Sequence, residues 1–298
     1  MSSSTTRRYE DRSVHASLAL GGRVDERTAS GSAPVNGASL FYEAHGEGET
    51  LVFVHCAPGD STLWDPQFGK FTPTHHVVRY DARGFGRSSF PPGPFAFHED
   101  LRGLLDVLGI DRAIVVGLSL GGRTAIDLAL SHPERVRALV LANSGVSGST
   151  MVPQPAGLSE VDAALARGEI ADAAELMTRI WLDGPRVPEA VAPTLRAWFF
   201  GRTRERFERL QQLGQGHATH LDLDPPAVGR LNEIRCPTLI ITSDLDQPSI
   251  LDLGSRLAAS IAGAQAVRIG GAAHIVNLER PEEFNAEVTS FLDRLHAA

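Results

Sequence analysis

The sequence predicts an α/β fold: a mainly parallel sheet with helices on both faces and one helical insertion. Three observations carry this reading. Seven short apolar runs recur from Ala38 onward, segments of helical period lie between them, and the alternation stops over 148–233, where no strand pattern is found. The strand candidates, in order, are 39–43, 51–54, 77–80, 113–116, 138–141, 238–242 and 266–269. Several are apolar without alternation, as strands covered on both faces are. Among the helices, Leu101, Leu104, Leu105 and Leu108 fall at i, i+3, i+4, i+7, and Gly109 follows where a helix C-terminus favours glycine. The last helix has Pro281 in its first turn and Phe284, Val288, Phe291, Leu292 and Leu295 along one face. Helical stretches are expected at 161–167, 171–182 and 187–200 inside the insertion.

These elements divide the chain into a tail (1–37), a sheet domain in two parts (38–147 and 234–298) and a helical cap (148–233). The tail is rich in Ser, Thr, Arg and Gly and has no period of either kind. It lacks the apolar stretch of a secretory signal, and Glu10, Asp11, Asp25 and Glu26 depart from an acid-poor transit peptide, so the expected location is the cytoplasm. No run approaches the roughly 18 apolar residues of a membrane span. A net charge of −8, with Lys70 the only lysine, disfavours nucleic acid or an anionic membrane as partner. Two cysteines, Cys56 and Cys236, are too few for a disulfide framework or a tetrahedral zinc site. What remains is a globular protein acting on a small molecule.

The chemistry concentrates at Gly117-Leu118-Ser119-Leu120-Gly121, directly after an apolar strand and before a helical run. A serine on such a turn is held in strained backbone, its hydroxyl is presented to substrate, and the helix start aims N–H groups at developing negative charge. A serine hydroxyl needs a base, usually an imidazole that a carboxylate orients. Of eleven histidines, His274 lies in a small-residue loop between the last strand and the last helix. The acid belongs in a loop after another strand, where Asp244 and Asp246 both qualify.

Four further motifs accompany the serine turn: Leu51 to His55 leading into a loop, Asp81-Ala82-Arg83-Gly84-Phe85-Gly86-Arg87-Ser88, His132-Pro133-Glu134-Arg135-Val136, and His274 through Glu279 to Phe284. With these motifs in this order, the chain resembles the α/β-hydrolase superfamily from about Ala38 to Leu292, and among capped members the carboxylesterases and 3-oxoadipate enol-lactonases. The resemblance implies an α/β-hydrolase fold and the chain order nucleophile Ser119, acid Asp246, base His274. It selects Asp246 over Asp244 by its Gly-x-x-Asp position, although Ser243 stands where that glycine is usual. It also implies an oxyanion hole from the backbone N–H groups of Ala57 and Leu120, with Cys56 where the family often has glycine.

The expected activity is therefore hydrolysis of a small carboxylic ester or lactone without cofactor or metal. C–C bond hydrolysis, or a natural-product tailoring step by the same triad, is the enzymatic alternative, and a non-catalytic ligand receptor the alternative of another class. Serine at the turn argues against dehalogenase or epoxide hydrolase chemistry, whose relatives on this fold use aspartate there. Cys56 reads as a small packed group, not a thiol nucleophile. His217 and His220 lack the carboxylate and third ligand of a metal motif, and the run from Arg202 to Arg209 reads as a solvated helix face. Trp181, Trp198, Phe199 and Phe200 are the candidate pocket residues; they predict an apolar roof suited to a neutral or weakly polar substrate.

Overall fold

A computed structural model describes residues 28–214 and 216–297. Among the described residues there are ten strands: β1 (Thr28–Val35), β2 (Ala38–His45), β3 (Thr50–Val54), β4 (His76–Tyr80), β5 (Gly93–Phe95), β6 (Ala113–Leu118), β7 (Val136–Ala142), β8 (Ala218–His220), β9 (Thr238–Ser243) and β10 (Gln265–Ile269). Nine α-helices accompany them among the described residues: α1 (Asp65–Phe71), α2 (Phe97–Val107), α3 (Leu120–Ser131), α4 (Leu158–Ala166), α5 (Ile170–Thr178), α6 (Pro193–Leu213), α7 (Pro248–Ser260), α8 (Val276–Glu279) and α9 (Pro281–Ala297). Eight strands form one sheet in the order β1-β2-β4-β3-β6-β7-β9-β10, antiparallel at the β1/β2 and β2/β4 pairs and parallel elsewhere.

The unbroken apolar runs are explained by two cores. Successive side chains of a strand point to opposite faces. On β3, Val52 and Val54 join the cluster under α2, α3 and α7, whereas Leu51 and Phe53 join the one under α1 and α9; on β6, Val115 faces the first and Ile114, Val116 and Leu118 the second. A strand buried on both sides has no polar face to alternate.

The first departure from the sequence reading is the tail. Residues 28–35 are an edge strand, not a continuation of it, pairing with β2 through a tight turn in which Asn36 and Gly37 have φ of 46° and 76°. Positive φ at both turn residues suits a two-residue hairpin, and Ala33 and Val35 go into the core. The rest of the proposed tail lies outside the described residues.

Over 148–233 a small cluster joins Val161 and Ala164 of α4, Ala173 of α5 and Ile180 of the π-helical turn, Arg179–Asp183, that follows α5, with Phe207 of α6 packed against them. Three details differ from expectation. The helix expected at 187–200 begins at Pro193 and runs to Leu213; the three-residue strand β8 pairs with β5; and Ala227 and Leu231 already pack into the sheet-domain core, so the chain returns to the sheet before Glu233. His217 precedes that small ladder and bonds the Phe90 carbonyl, and His220 is its last residue, lying against Phe95 and Phe97. Among the described residues no helix is long and apolar enough to cross a membrane.

The Asp81-to-Ser88 motif builds the loop after β4. The Asp81 carboxylate accepts the Ser61 and Arg87 N–H groups, both at 2.8 Å, tying this loop to the one after β3. Gly86 sits at φ 44° with its missing Cβ facing that carboxylate, so only glycine fits there. Arg83 makes a buried two-pronged pair with Asp100 on α2, at 2.6 and 2.8 Å.

Both ends of the insertion meet at Ser147. Its hydroxyl donates to Asp127 of α3 at 2.6 Å and accepts the Ala227 N–H at 3.1 Å. Burial raises the Asp127 carboxyl to about 6 from an unfolded value of 3.8. A folded value above the unfolded one means stability present below the unfolded pKa and lost as pH rises through the folded one. Asp127→Asn keeps an acceptor for Ser147 but cannot ionise, so its stability relative to wild type should grow by about 2 kcal/mol between pH 4.5 and 7.5. Urea denaturation at the two pH values checks this; a difference that does not change with pH would refute it.

Candidate active site

Strand β6 ends at Leu118 and α3 begins at Leu120, which leaves Ser119 alone in the turn with φ 55° and ψ −110°. Such a conformation costs on the order of 1–3 kcal/mol and persists only where neighbours fix it. They do: the Ser119 N–H donates to the Ala142 carbonyl at 3.0 Å, and its carbonyl accepts the Arg123 and Gly145 N–H groups at 3.0 and 3.1 Å. The flanking glycines are required by closeness, since a Cβ on Gly117 would strike the Gly121 backbone and one on Gly121 the Val54 carbonyl. None of these bonds uses the hydroxyl.

His274 and Asp246 lie at the carboxyl ends of β10 and β9, on the same edge of the sheet as Ser119, where ligands bind in open α/β folds. The imidazole Nδ1 is 2.7 Å from Asp246 Oδ2, and the two residues are 3% and 7% exposed. Asp246 Oδ1 accepts the Gln247 N–H at 2.7 Å, so both carboxylate oxygens are engaged. Asp244, by contrast, is exposed and accepts the Gly271 N–H, capping the turn after β10.

Two residues that sequence reasoning did not place in the site hold these loops together. Asn143, next to the Ala142 that anchors Ser119, donates to the His274 carbonyl at 2.9 Å and to Ser243 Oγ at 2.7 Å, while its Oδ1 accepts the Ser243 N–H. The Ser243 hydroxyl in turn donates to the Ala273 carbonyl, giving the serine in the usual glycine position a structural task. Glu279 accepts the Ala273 N–H at 2.9 Å and pairs with Arg186 at 2.5 Å, its carboxyl raised above the usual range by burial. The motif spacing from His274 to Glu279 was visible in sequence; the Arg186 partner, 93 residues away, was not.

The loop after β3 carries the proposed oxyanion donor. β3 and β6 are adjacent and parallel with Val54 opposite Gly117, so the loops holding Ala57 and Ser119-Leu120 leave neighbouring strand ends. His55 is a clamp there: its Nε2 accepts the Ala82 N–H at 2.9 Å, and Nδ1–H donates to the Cys56 carbonyl at 2.8 Å. Burial lowers its pKa, keeping the neutral ring that this pattern needs. Cys56 is fully buried and its thiol is pushed up to about 12, leaving it protonated and unreactive near neutral pH.

Of the four aromatics expected to line a pocket, Trp181 alone contacts the pair. Its ring lies 4.6 Å from the imidazole between centroids, and its carbonyl accepts the His274 N–H at 3.1 Å. Trp198 bonds Thr62 Oγ1 at 3.3 Å and is half-buried, as is Phe200. Phe199 does not serve as expected: at 1% exposure it is packed in the core under α1 and α9. The Arg202-to-Arg209 run also differs from a simple solvated face, since Arg202, Arg206 and Arg209, spaced i, i+4, i+7 on α6, all turn toward the loops after β3 and β4. That spacing was the available signal.

Comparisons with known proteins agree with this architecture. A 2-hydroxy-6-oxononadienedioate/2-hydroxy-6-oxononatrienedioate hydrolase of Burkholderia vietnamiensis is 33% identical over 86% of this chain and 91% of its own length. The 3-oxoadipate enol-lactonase 2 of Acinetobacter baylyi is 27% identical over 87% of this chain and 94% of its own. The crystal structure of an enol-lactonase from Burkholderia xenovorans superimposes with a TM-score of 0.72 at 27% identity, covering 88% of this chain and all of that one. The profile described as the alpha/beta hydrolase family matches residues 51–287, and the chain belongs to that family.

Proposed function

We propose that the chain is a serine hydrolase of a small carboxylic ester or lactone that works through an acyl-enzyme. The observation that carries this reading is the buried 2.7 Å contact between His274 Nδ1 and Asp246, on a loop that Asn143 ties to the strand anchoring Ser119. Ser119 Oγ attacks the carbonyl, and His274 Nε2 takes its proton and returns it to the leaving alcohol. Asp246 holds Nδ1–H, which leaves Nε2 as the basic nitrogen and stabilises the imidazolium. The oxyanion is received by the N–H of Ala57 and that of Leu120, the first residue of α3, where backbone donors have no acceptor within the helix. Water then repeats the sequence on the acyl-enzyme. Each step is supplied by the chain's own groups.

A C–C bond hydrolase is the second reading, favoured by the 33% identical relative, whose name carries a 6-oxo dioate substrate. A fluorophosphonate probe followed by peptide mapping tests the shared chemistry, with Ser119 the expected labelled residue. A panel of short aryl esters, lactones and β-diketone acids then separates the two readings, ester or lactone turnover being expected to exceed diketone cleavage. Labelling elsewhere, or none, would remove the serine mechanism.

In this reading 148–233 covers the triad and selects the substrate, with Trp181 as its contact with the chemistry. Trp181→Ala should alter the ratio of kcat/KM between esters of small and large acyl group by roughly 10- to 200-fold, while Ser119 still reacts with a small phosphonate. An unchanged ratio in a folded variant would exclude Trp181 as a specificity determinant.

A further inference from the structure

Helix α6 and the loops after β3 and β4 border a cleft of about 430 Å³, lined by Gly59 on the β3 side and by Arg202, Arg206 and Arg209 on the helix side. That volume suits a small metabolite. Three carboxylates border it, and each is already matched: Asp60 with Arg202 at 3.1 Å, Glu205 with Arg202 at 2.8 Å, and Asp81 with two backbone N–H groups and, more distantly, the Arg87 guanidinium.

Arg206 and Arg209 are different. Arg206 donates to the Gly84 carbonyl and lies 3.9 Å over the ring centroid of Phe85, with Phe90 on another side. Arg209 donates to the carbonyls of Gly86 and Ser88, at 3.1 and 2.7 Å. Among the described residues neither has a carboxylate within ion-pair distance. Carbonyl oxygens and aromatic faces orient a guanidinium without neutralising it, and a half-buried cation left in this state gains from an anion. Burial, and then the neighbouring charge of Arg209, push the Arg206 pKa down to about 10. Two planar forks on one wall of a cleft, each with donors to spare, match the oxygens of a carboxylate or phosphate.

We propose that this cleft is a binding site for a small carboxylate- or phosphate-bearing molecule, with Arg206 and Arg209 as its charge partners. It modifies the expectation of a wholly apolar roof: α6 offers cations beside its aromatics. Because Gly59 follows the proposed oxyanion residue Ala57 by two positions, the anion is either the far end of the substrate or a separate ligand seated next to the reaction centre.

Isothermal titration calorimetry of the full chain with succinate and with inorganic phosphate, at fixed ionic strength, tests the site, with neutral succinamide as control. Saturable binding of an anion at one site per chain is expected, with none for succinamide. Arg209→Gln should weaken it by about tenfold, and Glu205→Gln, which removes an exposed rim carboxylate, should strengthen it by about threefold. Absence of saturable binding up to about 10 mM of both anions overturns the proposal, as do affinities that neither variant changes. Binding is read without turnover, so its failure is distinct from failure of the hydrolytic reading. An aryl ester ending in a free carboxylate identifies the source: kcat/KM above that of an aryl acetate, lost in Arg209→Gln, marks a substrate tail, whereas equal values with anion binding intact mark a separate ligand.

Discussion

Replacing Ser119 by alanine is expected to lower kcat for a short aryl ester by about four to six orders of magnitude and to abolish fluorophosphonate labelling, with the fold intact. The fold should survive because the turn is fixed by backbone alone: the N–H and carbonyl of residue 119 keep their bonds to Ala142, Arg123 and Gly145, and alanine at φ 55° is no more strained than serine. The chemistry should not survive, because base and acid have nothing to activate once the hydroxyl is gone. Whatever rate remains would come from the oxyanion donors and from binding. A folded Ser119→Ala protein that keeps more than about a tenth of wild-type turnover would place the nucleophile elsewhere.

The sheet was legible in sequence where burial leaves a mark on single residues. The seven expected runs correspond to β2, β3, β4, β6, β7, β9 and β10; the central strands β3, β6, β7 and β9 carry near-continuous apolar runs because helical layers cover both faces, whereas β2 alternates and the edge strand β10 is largely exposed. The hairpin of β1 was missed, its strand falling within the expected tail: Asn36-Gly37 is a turn signal, but the strand before it is dominated by Ser, Thr, Ala and Gly and carries no apolar run to match the turn. β5 and β8, three residues each, have no periodicity to read, and their pairing across more than 120 residues is a tertiary event.

The site shows the same division. Ser119, His274 and the two candidate aspartates stand just beyond strands, so local pattern located them. What fixes them is nonlocal: Asn143 reaches Ser243 and the His274 loop, 100 and 131 residues away, and Arg186 reaches Glu279 from within the insertion. Aromatic content was a poor guide to the pocket, because Phe199 on the inward face of α6 is consumed by packing. Charge read as a run was misleading as well, since only its helical spacing separates Arg202, Arg206 and Arg209 from the outward pair Arg204 and Glu208.

The two aspartates after β9 give the second large effect, and one that separates position from composition. Asp246→Asn is expected to reduce kcat by on the order of 10⁴, whereas Asp244→Asn should cost less than about threefold. Asp246 presents Oδ2 to His274 Nδ1 and Oδ1 to the Gln247 N–H. With asparagine there, one of these contacts must take the amide NH₂. The backbone N–H can only donate, so it holds the carbonyl oxygen and turns the NH₂ toward the ring. Nδ1 then becomes the acceptor, the proton moves to Nε2, and the nitrogen facing the nucleophile can no longer act as a base. Asp244 is exposed and does no more than accept the Gly271 N–H, a contact that the carbonyl oxygen of asparagine retains. Steady-state kinetics on both variants, with circular dichroism to establish folding, decides the matter, and the opposite ranking would transfer the acid's role to Asp244.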